Sequence, residues 1–237
     1  MKAFKILVSF IIILMVSTLS VKAHTYWIQT EGSHKINELV QVKIYFGEYV
    51  TGEIMKGKAL DKVKDIKLLV RFEGLEDMLL TMIQDSACWK GSFTPAQAGS
   101  YEIIGINDTR EVQDWHKHGF GIVRPVQYLK TIYQVGAVAT PQSNKAFLDI
   151  VTQKKEDFYT LLVYKNRQPA AKTKFFISQP DGEEVPVETN EKGMVEYKPT
   201  SKGLYIIGIE WVDKTPGIFS GKEYTSIRYR LDASFNY

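Results

Sequence analysis

The stretch FTPAQAGSYEIIGI at residues 93–106 recurs in similar form as YKPTSKGLYIIGI at residues 197–209. Both copies begin with an aromatic residue and keep the same spacing from it to a proline, a glycine and a tyrosine. The pattern is typical of a strand end, a turn fixed by proline and glycine, and a returning strand whose tyrosine packs near the turn. Because such a unit occurs once in an Ig-like sandwich, the two copies predict two sandwiches.

The rest of the chain is organised in strand-sized runs. Residues 40–46 alternate apolar and polar side chains, as expected of a strand with one buried face, and helical periodicity is nearly absent after residue 23. Small and polar residues at 139–144 separate two groups of runs. We therefore expect an all-β protein with two tandem Ig-like β-sandwich domains, at residues 24–139 and 140–237.

Two segments are harder to interpret. Residues 47–65 are polar and rich in glycine, which predicts a long loop of the kind that is usually functional or disordered. The run from Met78 to Ile83 fits a strand and a helical turn equally well, and the sequence does not separate the two.

Residues 1–23 have the features of a cleaved secretion signal. Lysines give a positive start, an apolar run extends from Ile6 to Met15, and small residues occupy the cleavage positions up to Ala23. No later segment approaches the roughly 18 apolar residues that a membrane helix needs. We expect a periplasmic or secreted protein that has no transmembrane anchor after cleavage and that begins with His24.

Charge and cysteine content narrow the class of partner. The chain has 30 Lys and Arg against 27 Asp and Glu, and the signal holds three of the lysines and no acid, so the mature chain is balanced. Nucleic acid is not an expected partner, because its phosphates are bound by clustered Lys and Arg. Cys88 is the single cysteine, so no intrachain disulfide forms, and we interpret it as a small apolar core residue.

The histidines suggest a metal site. An N-terminal His24 would offer its α-amine and its imidazole to one ion, and His116 and His118 are candidates to complete the set. If their segment is locally extended, Asp114 shares a face with both histidines and is suited to orient an imidazole. Nitrogen-rich tetragonal sites favour copper or nickel. His34 has the surroundings of a turn residue and is a weaker candidate.

Enzyme templates fit the sequence poorly. It has no Gly-x-Ser-x-Gly, no phosphate-binding glycine loop and no His-Glu-x-x-His helix, so we do not expect an enzyme.

The four tryptophans could form a carbohydrate platform. Trp89 and Trp211 lie on apolar strands and are expected in the core, whereas Trp115 is expected to be exposed.

The chain resembles the bacterial DUF4198 family, the NikM-like exported proteins associated with nickel or cobalt uptake. The resemblance covers nearly the whole mature chain. The quoted segments are Ala23-His24 followed by Trp27, YFGE with GE at residues 45–53, FTP to Tyr101 at 93–101, YLKTIYQVG at 128–136, NRQP at 166–169 and NEKG at 190–193.

The resemblance implies a pair of β-sandwiches, a metal-linked periplasmic role and a terminal histidine as a ligand. Several members carry a histidine where this sequence has Glu48. This difference implies either that Glu48 supplies an oxygen ligand or that a ligand has been lost.

Three hypotheses follow. The first is a periplasmic protein that binds nickel, cobalt or copper through His24, His116, His118 and Glu48 and presents it to a membrane transporter. The second is a tandem Ig-like module that binds carbohydrate or protein without metal. The third is a copper oxygenase built on the N-terminal histidine.

Overall fold

The computed structural model describes residues 24–140, 142 and 145–237. The predicted signal at residues 1–23 lies outside the described residues, as do Pro141, Ser143 and Asn144 in the predicted linker. Within the described ranges, no helix has the length and apolar character needed to cross a membrane.

The described chain consists of short strands joined by turns, with two short 3-10 helices at Gly57–Lys62 and His116–His118. The strands of the first half are β1 (Thr25–Glu31), β2 (Val40–Glu48), β3 (Glu53–Ile54), β4 (Lys67–Arg71), β5 (Met78–Leu80), β6 (Ile83–Gln84), β7 (Trp89–Phe93), β8 (Gly99–Asn107), β9 (Gln113–Asp114) and β10 (Ile122–Val135). Those of the second half are β11 (Leu148–Lys155), β12 (Phe158–Lys165), β13 (Gln168–Pro169), β14 (Lys174–Ser178), β15 (Glu184–Glu188), β16 (Met194–Tyr197), β17 (Leu204–Asp213), β18 (Gly217–Phe219), β19 (Lys222–Tyr224) and β20 (Ser226–Asn236).

These strands form three main sheets. The N-terminal sheet has the order β1-β2-β7-β6, with β3 paired to β2, and the C-terminal sheet has the order β11-β12-β13, with β16 paired to β12. Between them lies a nine-stranded central sheet of order β15-β14-β17-β20-β10-β8-β4-β5, with β9 paired to β10. A separate hairpin joins β18 to β19. The fold is therefore an all-β sandwich, as the sequence predicts.

The central sheet has a hydrophobic core on each face. Leu129 lies in the first core, beneath the N-terminal sheet, and is paired with Asp232 of β20. The preceding residue, Leu231, lies in the second core, beneath the C-terminal sheet. Because successive side chains of a strand point to opposite faces, the two outer sheets cover opposite faces of the central sheet.

The sequence does not predict that the two sandwiches share a sheet. Strands β10 and β20 pair in parallel from Val123 opposite Ser226 to Thr131 opposite Ser234. A third buried cluster adds side-chain contacts between the halves, and consists of Trp27, Leu204 and Ile206, with Tyr45 and Tyr49 packed against it. The predicted boundary at 139/140 falls in the connection between β10 and β11 and stays a prediction.

The repeated motif forms the same turn in each half. The Tyr101 hydroxyl donates to the Gln97 carbonyl at 2.9 Å and accepts from the Gln97 N–H at 3.0 Å. The Tyr205 hydroxyl makes the same two contacts with Ser201, at 2.7 and 3.1 Å. This is the tyrosine corner of Ig-like sandwiches, and it explains the common spacing of glycine and tyrosine.

The two segments that the sequence left open are both ordered parts of the first sandwich. In the 47–65 segment, the fully buried Leu60 packs into the first core and its carbonyl accepts a hydrogen bond from Trp89 Nε1 at 3.0 Å. Met78–Ile83 is extended rather than helical, and it runs from β5 in the central sheet to β6 in the N-terminal sheet.

Candidate metal centre

His24 lies at the open end of the first sandwich. It directly precedes β1, is exposed, and its ring stacks on Phe46 with the centroids 5.1 Å apart. Thr25 is paired with Gly47, so the register, continued by one residue, places His24 across from Glu48. Cross-strand partners share a face of the sheet, and the structure therefore brings these two predicted ligands to the same strand end.

Glu48 is a carboxylate in a confined position. It ends β2, is 9% exposed, and is paired on its other side with Glu53 of β3. The Thr51 hydroxyl lies 3.4 Å from its Oε2. On the same side, Lys62 Nζ lies 5.3 Å from the centre of the Phe46 ring. The strand end thus carries carboxylates with a lysine nearby, and the lysine opposes the binding of a cation.

The other two predicted histidines lie in a short helical turn. Residues His116–His118 form a 3-10 helix, which ends at Gly119 with a left-handed φ of 77°. In such a helix, residues two apart do not share a face. The expectation that an extended segment points both histidines the same way is therefore wrong, because the glycine at 119 allows the chain to turn where an extended strand would continue.

Asp114 occupies the orienting position that the sequence predicts. Its Oδ1 accepts from the backbone N–H of His116 at 2.9 Å and lies 2.7 Å from Nδ1 of the same residue. These hydrogen bonds, the backbone one first, hold the pKa of Asp114 below its ordinary value. The carboxylate favours the tautomer with the proton on Nδ1, which leaves Nε2 as the free lone pair of an exposed imidazole.

The candidate ligands lie on different strands and turns. His24 and Glu48 lie at the ends of β1 and β2. His116 and His118 follow Asp114, which is paired with Ile122 at the start of β10. Across the part of the chain that the structure describes, no three His, Cys, Asp or Glu side chains are grouped so that they could hold a metal ion. A terminal α-amine is a donor of another kind and would add to the pair at His24.

The tryptophans differ from the sequence-based expectation. Trp211 is 37% exposed, with Lys165 Nζ 3.6 Å from its ring centre, so its assignment to the core is wrong. Trp211 lies near the end of β17, three residues after Gly208, and its ring is covered by a lysine side chain rather than by apolar residues of the core. Trp115 is half-buried, packs edge-on against Phe120 and lies 5.2 Å from the guanidinium of Arg228.

Sequence reasoning missed a buried ion pair. Lys130 Nζ lies 2.9 Å from Asp149 Oδ1, and the two side chains are 4% and 6% exposed. The signal was present in the sequence, because Lys130 lies within the mostly apolar stretch YLKTIY of β10 and Asp149 lies within LDIV of β11. A charge within such a stretch indicates either an exposed edge or a buried partner.

Comparisons with known proteins give no family. No family model matches the chain, and no curated protein matches it either. Among solved structures it aligns with native alpha-2-macroglobulin from Escherichia coli spanning domains MG0-NIE-MG1, at 7% identity over 86% of this chain and 96% of that chain, with a TM-score of 0.24. It also aligns with dimeric latent PorU from Porphyromonas gingivalis, at 11% identity over 90% of this chain and 20% of that chain, with a TM-score of 0.23. These likenesses assign no function, and membership of the DUF4198 family stays a prediction.

Proposed function

We propose that this chain is an exported, non-enzymatic protein that binds copper, nickel or cobalt and presents the ion to a membrane transporter. The observation that supports the proposal is the pairing of Thr25 with Gly47, since the same register continued by one residue brings His24 opposite Glu48. The imidazole of His24 is exposed and stacks on the Phe46 ring, which limits its movement. A metal site needs this combination of a fixed ligand and an open approach.

The donor set suits a tetragonal ion. When the chain begins at His24, its α-amine and Nδ1 close a chelate ring, and a carboxylate oxygen of Glu48 is the third donor. Two nitrogens and one oxygen fit copper or nickel, and the divalent affinity order puts copper first. Lys62 reduces the affinity, which suits a protein that must release its ion.

His116 supplies a second donor. Its Nδ1 lies 2.7 Å from Asp114 Oδ1, which orients the ring, and His118 follows two residues later. We assign this pair to a separate, weaker site, because the described residues do not group it with His24 and Glu48.

Isothermal titration with copper, nickel and cobalt tests the proposal. Protein that begins at His24 is compared with the same protein carrying an acetyl group on the α-amine of His24, which removes the amine as a donor and leaves the imidazole in place. We expect at least a tenfold loss of affinity, or about 1.4 kcal/mol, from the acetyl group. In protein that begins at His24, Glu48→Gln should weaken metal binding and Lys62→Ala should strengthen it. The control His34→Gln should leave the metal affinity unchanged.

Two outcomes would overturn the terminal site, and a third would overturn the non-enzymatic role. Affinity that is unchanged by acetylation of the α-amine excludes the chelate. Affinity that is lost only in the His116→Ala and His118→Ala variants moves the site to the helical turn. Oxygen consumption by the copper-loaded protein in the presence of a reductant would replace the binding role with an oxygenase activity.

A second candidate function is a carbohydrate- or protein-binding module without metal. The exposure of Trp211 favours it, since an exposed tryptophan on a rigid strand can stack against a sugar ring. Glycan-array binding that is lost in Trp211→Ala and kept in Trp115→Ala, with no metal dependence, would support this function over metal binding.

A further inference from the structure

The buried ion pair between Lys130 of β10 and Asp149 of β11 spans the connection between the two halves. Lys130 Nζ lies 2.9 Å from Asp149 Oδ1, and the two side chains are only 4% and 6% exposed. Taking both charges out of water costs about as much as their attraction returns, so a buried ion pair is weak evidence for a stabilising role. An amine held against a carboxyl group in this way is also the arrangement from which an amide forms.

The Asp149 carboxyl group is held in place by two donors on one oxygen. Its Oδ1 accepts a hydrogen bond from Lys130 Nζ and another from the backbone N–H of Ile150 at 2.8 Å. A fixed N–H that points at Oδ1 stabilises the negative charge that this oxygen gains when a nitrogen attacks Cγ. Oδ2 is then the oxygen that departs.

The surroundings of the pair favour an uncharged product. The pair lines a cavity of about 290 Å³ together with apolar side chains that include Ile104, Leu148 and Leu231. Apolar side chains do not solvate ions, so a reaction that turns two buried charges into a neutral amide removes the cost of burying them. The exposed Lys145 also lines this cavity, which therefore reaches the surface and gives a released water molecule a way out.

A second buried carboxylate lies on the same face of the central sheet. Lys130 is paired with Ile104 of β8, and Glu102, which is 3% exposed, precedes Ile104 by two residues. Residues two apart on a strand share a face, and such diagonal neighbours on adjacent strands are within reach of long side chains. Glu102 Oε2 lies 3.9 Å from Nη1 of Arg71, and Arg71 lines the cavity of the ion pair. Glu102 is thus placed to carry a proton between the amine and the departing oxygen.

We propose that Lys130 and Asp149 condense to an intramolecular isopeptide bond, with Glu102 as the proton carrier. Glu102 accepts one proton from the Lys130 ammonium group, and the resulting amine attacks Cγ of Asp149. The bond from Nζ to Cγ forms and the bond from Cγ to Oδ2 breaks. Oδ2 leaves as water with the proton returned by Glu102 and a second proton from the nitrogen. An ammonium group and a carboxylate become one neutral amide and one water molecule, so atoms and charge balance without a further reactant.

The fold supplies the activation that such a condensation lacks in solution. The two reacting groups are already in contact in the folded chain, so no translational freedom is lost when they meet. The amide links β10 to β11 across the connection between the halves. Because the chain has a single cysteine, it forms no intrachain disulfide, and the amide restricts the unfolded chain in the way that a disulfide would.

Intact mass spectrometry of the denatured protein, with its N-terminus determined, tests the proposal. The protein should be lighter than its sequence by the mass of one water molecule, and proteolysis should release one branched peptide that contains both Lys130 and Asp149. Lys130→Arg keeps a positive charge beside Asp149 but forms no amide, so it should have its full sequence mass and a lower thermal midpoint than the parent. The matched control Lys155→Arg, on an exposed position of β11, should keep the mass deficit.

The variant Glu102→Gln separates the proton carrier from the reacting groups. It leaves Lys130 and Asp149 in place, so the folded variant, checked by circular dichroism, should have its full sequence mass. A mass deficit that persists in this variant would overturn the role of Glu102.

The parent protein decides the bond itself without any variant. A full sequence mass in the folded parent would overturn the proposal and leave only an ion pair. A loss of water without the branched peptide would also overturn it, because the dehydration would then lie elsewhere in the chain. Neither result bears on the metal affinity at His24, so the two proposals can fail independently.

Discussion

At the scale of single residues, two tyrosine hydroxyls hold the same turn in the two halves. Each hydroxyl donates to a carbonyl four residues earlier and accepts from the N–H of that same residue. Both tyrosines are buried and Ser201 is half-buried, whereas Gln97 is exposed, so losing the hydroxyl leaves buried or half-buried polar groups unpaired most clearly at Ser201. Each hydroxyl therefore makes two hydrogen bonds that stabilise the turn.

Tyr101→Phe and Tyr205→Phe should each lower the free energy of unfolding by about 1–3 kcal/mol. Urea denaturation followed by circular dichroism measures the change. Tyr164→Phe, at a half-buried position of β12, is the control and should change stability by less than about 0.5 kcal/mol. Equal effects at the three positions would contradict a special role for the two turn tyrosines.

The Asp114 carboxyl should titrate below its ordinary range. Hydrogen bonds from the backbone N–H and then the imidazole of His116 favour the carboxylate form. A carboxyl whose pKa is lower in the folded state stabilises the fold at neutral pH, and this contribution is lost as the pH falls through the folded pKa. Carboxyl-detected NMR should show the Asp114 midpoint rising part of the way in His116→Ala, because the backbone donor remains. The Asp213 midpoint, lowered by Thr215 instead, should not move.

At the scale of elements, the glycines of the repeated turn have equivalent conformations. Gly99 and Gly203 both have φ of +141°, which side chains rarely adopt, and a Cβ at either position would meet a neighbouring ring, Phe72 at 2.7 Å or Pro180 at 2.8 Å. The turn needs glycine for its backbone conformation and also for the close approach of the next element.

Gly99→Ala and Gly203→Ala should each destabilise the protein by about 1–3 kcal/mol. The comparison is Gly52→Ala, which has positive φ of 72° but open space around the added methyl group. Thermal unfolding should rank Gly52→Ala as the mildest of the three. If all three variants lose the same stability, backbone strain alone acts and the close approach contributes nothing.

At the scale of the whole molecule, the parallel pairing of β10 with β20 makes one sheet out of two sandwiches. Nine residue pairs, from Val123–Ser226 to Thr131–Ser234, join the halves. The cluster around Trp27, Leu204 and Ile206 adds an apolar contact between them. Separating the sandwiches would expose the edges of two long strands as well as this cluster.

We therefore expect the two halves to unfold in one transition. Differential scanning calorimetry should give a van't Hoff enthalpy equal to the calorimetric enthalpy. Tyr205→Phe, in the second half, should lower the midpoint of the single transition as a whole. Two resolved transitions, of which only one moves in this variant, would contradict coupling through the shared sheet.

The candidate site could be predicted in its parts but not in its arrangement. The sequence identifies His24, Glu48 and the Asp114–His116 pair, because local spacing alone brings Asp114 to His116. It does not show that the register of β1 and β2 brings His24 opposite Glu48, since that depends on which strands pair and in which register. The exposure of Trp211 escaped prediction for the same reason.

The sequence by itself determined the all-β class, the two Ig-like units and the turn that each repeats. Those features follow from the alternation of apolar side chains and from the local needs of proline, glycine and tyrosine. Only the tertiary structure decided that the units share a central sheet, that their cores lie on its opposite faces, and that Lys130 of one half pairs with Asp149 of the other. The physical reason is that β-sheet contacts join residues distant in sequence, and the pattern of one strand does not specify its partner.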